Sequence, residues 1–255
     1  MAVCLAACNF AGEPVGPDTR LRILAASSLN EVLWDVAAAY RETHPDVGVY
    51  PSFAGSQTLR LQVERGVSAD IYAAAEASHM QRVDSLGLVY EPHVFAYNEL
   101  AVIVPLENPA GIESLQDLPS AERLVIGVAD VPIGRYTRVL LERAREAGVA
   151  SPAAPGVPFD EAVMAKVVSQ EVNVRQVRAK VELGEADAAI VYRTDAIASS
   201  GVRTIRIPRE VNVRAAYVVA VLKTTDDLPE AEAWVDLLLS DTGRAALLRR
   251  GFFLP

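Results

Sequence analysis

Two serines stand where a strand-like run gives way to a helix-like one, and a hydroxyl so placed has chemistry open to it. Ser28 follows the apolar run Arg22-Ile23-Leu24-Ala25-Ala26, and Ser56 follows the alternating stretch 47–53. The start of a helix carries backbone N–H groups without intrahelical partners and the positive end of the helix dipole. Such a terminus binds oxyanions, and a serine hydroxyl there adds a donor. The same placement describes an ordinary N-cap. Ser28 and Glu31 match the S-x-x-E capping box, and Ser56 alone reads as a cap. Taken singly, each serine reads as a cap; together, at the ends of neighbouring strands, they would face one crevice.

Enzyme chemistry finds less support. The chain has no G-x-S-x-G elbow, no phosphate-binding G-x-x-x-x-G-K-[ST] loop, no H-E-x-x-H and no G-x-G-x-x-G. His44, His79 and His93 lie in separate segments without metal-ligand spacing and read as surface or cap residues. The 33 Asp and Glu residues offer many acid–base pairs, but spacing singles out none. Both cysteines, Cys4 and Cys8, fall within the first eight residues, so the body holds no disulfide, Cys-based zinc site or thiol nucleophile. A formal charge of −9 argues against a surface that grips nucleic-acid phosphates. With 51% hydrophobic residues over 255 positions the chain can bury a substantial core, and wholesale disorder is excluded. No apolar run approaches the ~18 residues of a spanning helix.

The elements that must position the serines follow from periodicity. The run at 22–26 reads as a buried strand, and Leu29, Val32, Leu33, Val36 and Tyr40 form one helical stripe that Pro45 stops. A strand over 47–53, a helix carrying Leu59, Leu61 and Val63, a strand over 70–75 and a helix over 78–86 come next. Strands at 99–105, 124–129, 188–192 and 215–222 continue the pattern, with helices at 136–147, 174–183, 229–239 and 242–250. Strands alternating with helices predict an α/β fold with parallel sheets and a crevice at the strands' carboxyl ends. By composition alone the Pro-rich stretch 150–158 is the best linker candidate.

At the N-terminus, Leu5-Ala6-Ala7-Cys8 resembles the lipobox of bacterial lipoproteins, whose cysteine is cut free and lipidated. Residues 9–20 hold Gly12, Pro14, Gly16 and Pro17 without apolar periodicity. The expectation for residues 1–20 is a shortened lipoprotein signal and a flexible tether, with Cys8 as the lipid anchor.

Ordered segments along the body resemble one family. They are Ala25-Ala26-Ser27-Ser28-Leu29, Phe53-Ala54-Gly55-Ser56-Gln57-Thr58-Leu59, Val131-Pro132-Ile133-Gly134-Arg135-Tyr136, Asn173-Val174-Arg175-Gln176-Val177 and Ala189-Ile190-Val191-Tyr192, with Ser68-Ala69-Asp70-Ile71-Tyr72 as a further likeness. From about residue 21 to 255 the chain is similar to the periplasmic molybdate-binding proteins of molybdate ABC importers. The resemblance implies a two-lobed type II binding-protein fold, each lobe a mostly parallel sheet covered by helices, with the ligand cleft between lobes. Lobe one would comprise 21–98 and 208–255, and lobe two 99–207, which turns 150–158 into a loop within lobe two.

The resemblance also implies the site. Molybdate would meet the hydroxyls and amides of Ser28 and Ser56, the amides of Ile133 and Val174, and the Tyr192 hydroxyl; these five touch the metal only as its oxyanion. No cofactor and no catalytic residue is implied. Molybdate at neutral pH is a dianion without protons, so it only accepts hydrogen bonds, and none of the five residues is a carboxylate. Oriented amides and helix dipoles can balance its charge without a lysine or arginine. The family commonly has alanine where this chain has Ile133 and Thr137; an isoleucine acting through its amide keeps the contact but narrows the cleft rim. Arg135 and Arg175 read as solvent-facing charges, and Asp195 as a helix cap. The implied protein is an extracytoplasmic, lipid-anchored monomer, not an enzyme, that carries molybdate or tungstate to a membrane permease and binds no nucleic acid. The alternatives are a receptor for sulfate or another tetrahedral oxyanion, an enzyme on a related two-lobed fold, and a cytoplasmic effector-sensing domain.

Overall fold

The computed structural model describes residues 19–255, so Cys4, Cys8 and the lipidation expected at Cys8 lie outside the described residues. Nine strands and nine α-helices follow in order among them. The first half of the chain runs β1 (Thr19–Ala26), α1 (Asn30–Thr43), β2 (Val47–Ala54), α2 (Ser56–Glu64), β3 (Ile71–Ala74), α3 (Ala77–Ser85), β4 (His93–Pro105), β5 (Leu124–Gly127) and α4 (Pro132–Glu146). It continues with α5 (Phe159–Met164), β6 (Val167–Glu171), α6 (Val174–Glu182), β7 (Ala188–Tyr192), α7 (Arg193–Ile197), β8 (Val202–Arg206), β9 (Arg214–Val221), α8 (Leu228–Leu239) and α9 (Asp241–Arg249). A 3₁₀ turn, Ser27–Leu29, joins β1 to α1.

The strands lie in the order β2-β1-β3-β9-β4-β7-β5-β6, with β8 added on β4. Each half has a parallel core: β2-β1-β3 in one, β7-β5-β6 in the other. Antiparallel β9 flanks the first core beside β3 and antiparallel β4 flanks the second beside β7, with β8 antiparallel on β4. The uninterrupted apolar runs in β1, β3 and β7 follow from helices covering both faces of a parallel sheet.

β4 belongs to both halves. Its first part, His93–Glu99, pairs with β9, and Leu100 onward pairs with β7 and β8. Where β4 leaves β9, the Asn212 side chain takes the place of a strand: its Oδ1 accepts from Leu100 N–H at 3.1 Å and its Nδ2 donates to Leu100 C=O at 3.0 Å. The backbone therefore stays satisfied at the crossing.

Several expectations need correction. β1 starts at Thr19, two residues inside the expected tether. Leu61 is exposed, because only Leu59 and Val63 of α2 share the buried face with Ser56. β4 starts six residues earlier than the 99–105 run, and β6 and β8 carry too weak an apolar pattern to be read at all: β6 is nowhere fully buried. Residues 150–158 are a turn-rich loop between α4 and α5.

Candidate functional site

The residues expected to touch an oxyanion come together. Ser28, Ser56, Ile133, Val174 and Tyr192 all line one small cavity of about 20 Å³. Four helix starts converge there: the Ser27–Leu29 turn leading into α1, and the first residues of α2, α4 and α6. Their first-turn N–H groups have no intrahelical acceptors. Only at α6 does a capping side chain take one, Asn173 Oδ1 accepting from Gln176 N–H at 3.0 Å. Pro132 opens α4 at the position where a missing N–H costs nothing.

Neither serine is a cap. The Ser28 hydroxyl lies 2.9 Å from the Tyr217 hydroxyl, and no side-chain cap bond forms at the start of the turn or of α1. Glu31, the other half of the expected capping box, pairs with Arg175 instead. Ser56 is the first residue inside α2, after Gly55, and its Oγ accepts from Ala75 N–H at 3.0 Å at the end of β3. The capping motif is a statement about neighbours in sequence; here the partners arrive from 19 and 189 residues away.

Tyr192 ends β7, is 2% exposed, and its hydroxyl has no hydrogen-bond partner in the protein. Burial, reinforced by Tyr217 and Tyr136, drives its pKa well above the ordinary phenol value, so the group keeps its proton. A buried hydroxyl left unpaired costs on the order of 1–3 kcal/mol, which makes this atom one that wants an acceptor. Ile133 is 2% exposed and packs its Cγ2 against the Gly127 position, so it lies beneath the cavity and does not narrow the rim. Gly134 lets the first turn of α4 sit on β5: a Cβ there would stand 1.9 Å from the Val128 carbonyl oxygen. Thr137, one turn further on, is fully buried with its hydroxyl unpaired.

Above the cavity the two halves touch. Arg175, the residue after Val174, donates from Nη1 to Glu31 Oε1 at 2.7 Å and from Nε to the Ser27 carbonyl at 3.1 Å, and its Nη2 also meets Glu31. Its Nε stands 3.1 Å from Asp195 Oδ1, an ion pair without a directed hydrogen bond. Burial pushes the Glu31 carboxyl up, but hydrogen bonding to and charge on Arg175 outweigh it and hold the group below its ordinary value. Asp195 is entirely enclosed, and burial lifts it to about 6 against the pull of Arg175 and Arg178. On the other side of the mouth Arg135 Nη1 lies 3.2 Å from Glu76 Oε1. Gln57 Nε2 donates to the Val172 carbonyl at 3.0 Å, and that approach needs Gly55, whose Cβ would fall 2.6 Å from the same oxygen. Arg175 is thus a cross-cleft tie and not a solvent-facing charge. Asp195 lies in the first turn of α7, which Tyr192 caps, and is no cap. His79 is buried beside Glu76, not on the surface, and burial with Arg135 and Arg60 nearby lowers it to about 4.

Residues 21–253 match the family model for bacterial extracellular solute-binding proteins. The chain belongs to this family. The chain is 31% identical over 251 residues to the molybdate-binding protein ModA of Mycobacterium tuberculosis, covering 96% of this chain and 90% of that one. Among solved structures, the periplasmic molybdate-binding protein of Azotobacter vinelandii superposes with TM-score 0.77 at 17% identity, covering 92% of this chain and 99% of that one. The sulfate-binding protein SubI of M. tuberculosis superposes with TM-score 0.78 at 19% identity, covering 92% and 86%. The two-lobed binding-protein fold is the one expected from the sequence. Among the described residues no helix is long and apolar enough to cross a membrane.

In this solute-binding protein, the contacts around the cavity were not legible in the sequence. Tyr217, Asn98, Glu76 and the Asp195–Arg175–Glu31 group shape the cleft, and no local motif marks them because these contacts span 20 to 189 residues, save Glu76 against His79.

Proposed function

We propose that this protein captures molybdate, and tungstate with it, between two closing lobes and hands it to the membrane permease of an ABC importer. The observation that carries this reading is the Tyr192 hydroxyl, buried and unpaired in a cavity it shares with Ser28, Ser56 and the starts of α4 and α6. In this reading the ion accepts from the Ser28, Ser56 and Tyr192 hydroxyls and from the Ser28, Ser56, Ile133 and Val174 amides. Every group is a neutral donor, which suits a dianion with no proton to give. The likeness to ModA supports the choice of ion. Selection against sulfate is steric, since Mo–O and W–O bonds are longer than S–O bonds and the donors are fixed.

Lobe one comprises 21–98 with 208–255, and lobe two 99–207; the exchange of partners along β4 at Leu100 and the Asn212 bridge support a hinge there. Ligand contacts from both lobes favour the shut state. The protein works as a monomer outside the cytoplasm, anchored through Cys8, and performs no catalysis. Titration calorimetry with molybdate, tungstate, sulfate and phosphate tests the reading. Tight one-to-one binding of the two larger ions, weakened in Ser56→Ala, is the expected result. A preference for sulfate overturns the ion, and silence toward all four overturns the site.

A further inference from the structure

The Ser28 hydroxyl could serve an anion as donor or waste its proton on Tyr217, and the hydrogen-bond chain behind it decides which. Asn98, on β4, has its amide orientation set by its own chain: Oδ1 accepts from Glu99 N–H at 3.0 Å. A flipped amide would set donor against donor there. Nδ2 therefore points the other way and donates to Thr194 Oγ1 at 2.8 Å and to the Tyr217 hydroxyl oxygen at 3.3 Å. Tyr217 is fully buried, and burial together with the nearby Asp195 charge raises its pKa, so it stays protonated. With Asn98 donating to its oxygen, the single Tyr217 proton has one remaining partner, Ser28 Oγ at 2.9 Å. Ser28 must then accept from Tyr217, and its own proton turns to the cavity that Ser28 lines.

Ser56 reaches the same state by a different route. Its Oγ accepts from the Ala75 N–H, a group that can only donate, so its proton is likewise free for the cavity. Hydrogen bonds in such a chain polarise one another, which strengthens the terminal donor.

We propose that Tyr217, oriented by Asn98, is a positioning and selectivity residue that makes Ser28 a donor only, so that the cavity admits tetrahedral oxyanions carrying no proton and disfavours those that carry one. This inference rests on the oxyanion-binding reading above. It names the ligand class by protonation state, and size alone does not set that. A hydrogen phosphate would bring an O–H that finds no acceptor at Ser28, whose hydroxyl offers the cavity its proton. The desolvated proton without an acceptor is the penalty.

The test is calorimetry on the full chain with molybdate and sulfate directly and hydrogen phosphate by competition. It compares wild type, Tyr217→Phe, Ser28→Ala and the double variant, with melting curves to establish that each is folded. Tyr217→Phe keeps the ring and its edge contacts with Phe95, Tyr192 and Phe252. Its loss is expected to weaken the unprotonated anion by about five- to tenfold, as one directed hydrogen bond would. Hydrogen phosphate should weaken less, so the selectivity ratio narrows by about threefold or more. In the Ser28→Ala background the same change should alter affinity by less than about twofold, the coupling expected of residues acting as one unit. Asn98→Asp offers Tyr217 an acceptor, reverses the chain and should weaken the unprotonated anion at least as much as Tyr217→Phe. Parallel weakening of all anions, or an equal loss from Tyr217→Phe with and without the Ser28 hydroxyl, overturns the proposal while leaving the receptor intact. Binding of sulfate in place of molybdate overturns only the choice of ion, because the relay is then read on sulfate. Silence of the wild type toward every anion overturns both.

Discussion

At the bottom of the cleft Ser28, Ser56 and Tyr192 line the cavity with neutral hydroxyls, whereas at its mouth Arg175 and Arg135 reach across to Glu31 and Glu76. Both regions join the same two halves of the chain, yet they divide the work. Dipoles act over a few ångströms and therefore measure shape; full charges act further and hold the halves together. Each cross-cleft arginine is paired with an acid, Arg135 with Glu76 and Arg175 with both Glu31 and Asp195. The floor side chains are buried, while half-exposed Arg135 leaves its pair with Glu76 open to screening.

The largest effect should come from undoing the tie at the mouth. Arg175→Met leaves Asp195, wholly buried, without its ion-pair partner and with only Arg178 nearby, and removing one partner of a buried pair costs on the order of 3 kcal/mol. The cost should depend on pH. Asp195 has a folded pKa raised to about 6 from an ordinary 3.8, so its contribution to stability is fully present below about pH 4 and is lost as pH rises through about 6. The Arg175→Met deficit in melting temperature should accordingly be largest at pH 7–8 and shrink toward pH 4. A deficit that is flat across this range would show that the buried carboxyl is not what Arg175 serves.

Next comes the floor. Tyr192→Phe removes a hydroxyl that no protein group uses, so molybdate affinity should fall by about 10- to 100-fold while the melting temperature of the free protein holds or rises. A drop in stability without a change in affinity would place the hydroxyl outside the ligand shell and erase the contrast between floor and rim. A smaller gain should come from Thr137→Val, which removes another unpaired hydroxyl at nearly constant volume. Denaturant titration should register about 1 kcal/mol of added stability with unchanged binding. The smallest effect belongs to Arg135→Gln, at most about 1 kcal/mol of closure, and salt titration of wild type should reproduce part of it.

The legibility of the molecule divides along similar lines. The strand and helix order was readable because β1, β3, β5 and β7 hold short apolar runs and α1 repeats Val32, Leu33, Val36 and Tyr40 at helical spacing. The weakest strands, β6 and β8, lacked such a signal because neither is wholly buried. The serines were readable as helix-start hydroxyls, but the capping readings, a box at Ser28 and a simple N-cap at Ser56, assigned the hydroxyls to the wrong partners. Local motifs presume that the nearest backbone donor wins. In the folded chain Tyr217 and Ala75 stand closer in space and take the interaction. Arg175, misread as a solvent charge, shares this cause, since a side chain's surroundings depend on the opposite half of the chain.

What the sequence by itself determined is the set of periodic elements, the segments likening the chain to an oxyanion receptor, and the placing of hydroxyls rather than carboxylates at the helix starts. Those depend on neighbours a few residues apart, which the linear order already fixes. What only the tertiary structure decided is which proton each hydroxyl offers, which acid each arginine meets, and how small the cavity is. Those depend on β4 crossing between sheets and on the two halves coming into contact, and a hydrogen bond, being directional and short, takes its meaning from whichever atom the fold brings within about 3 Å.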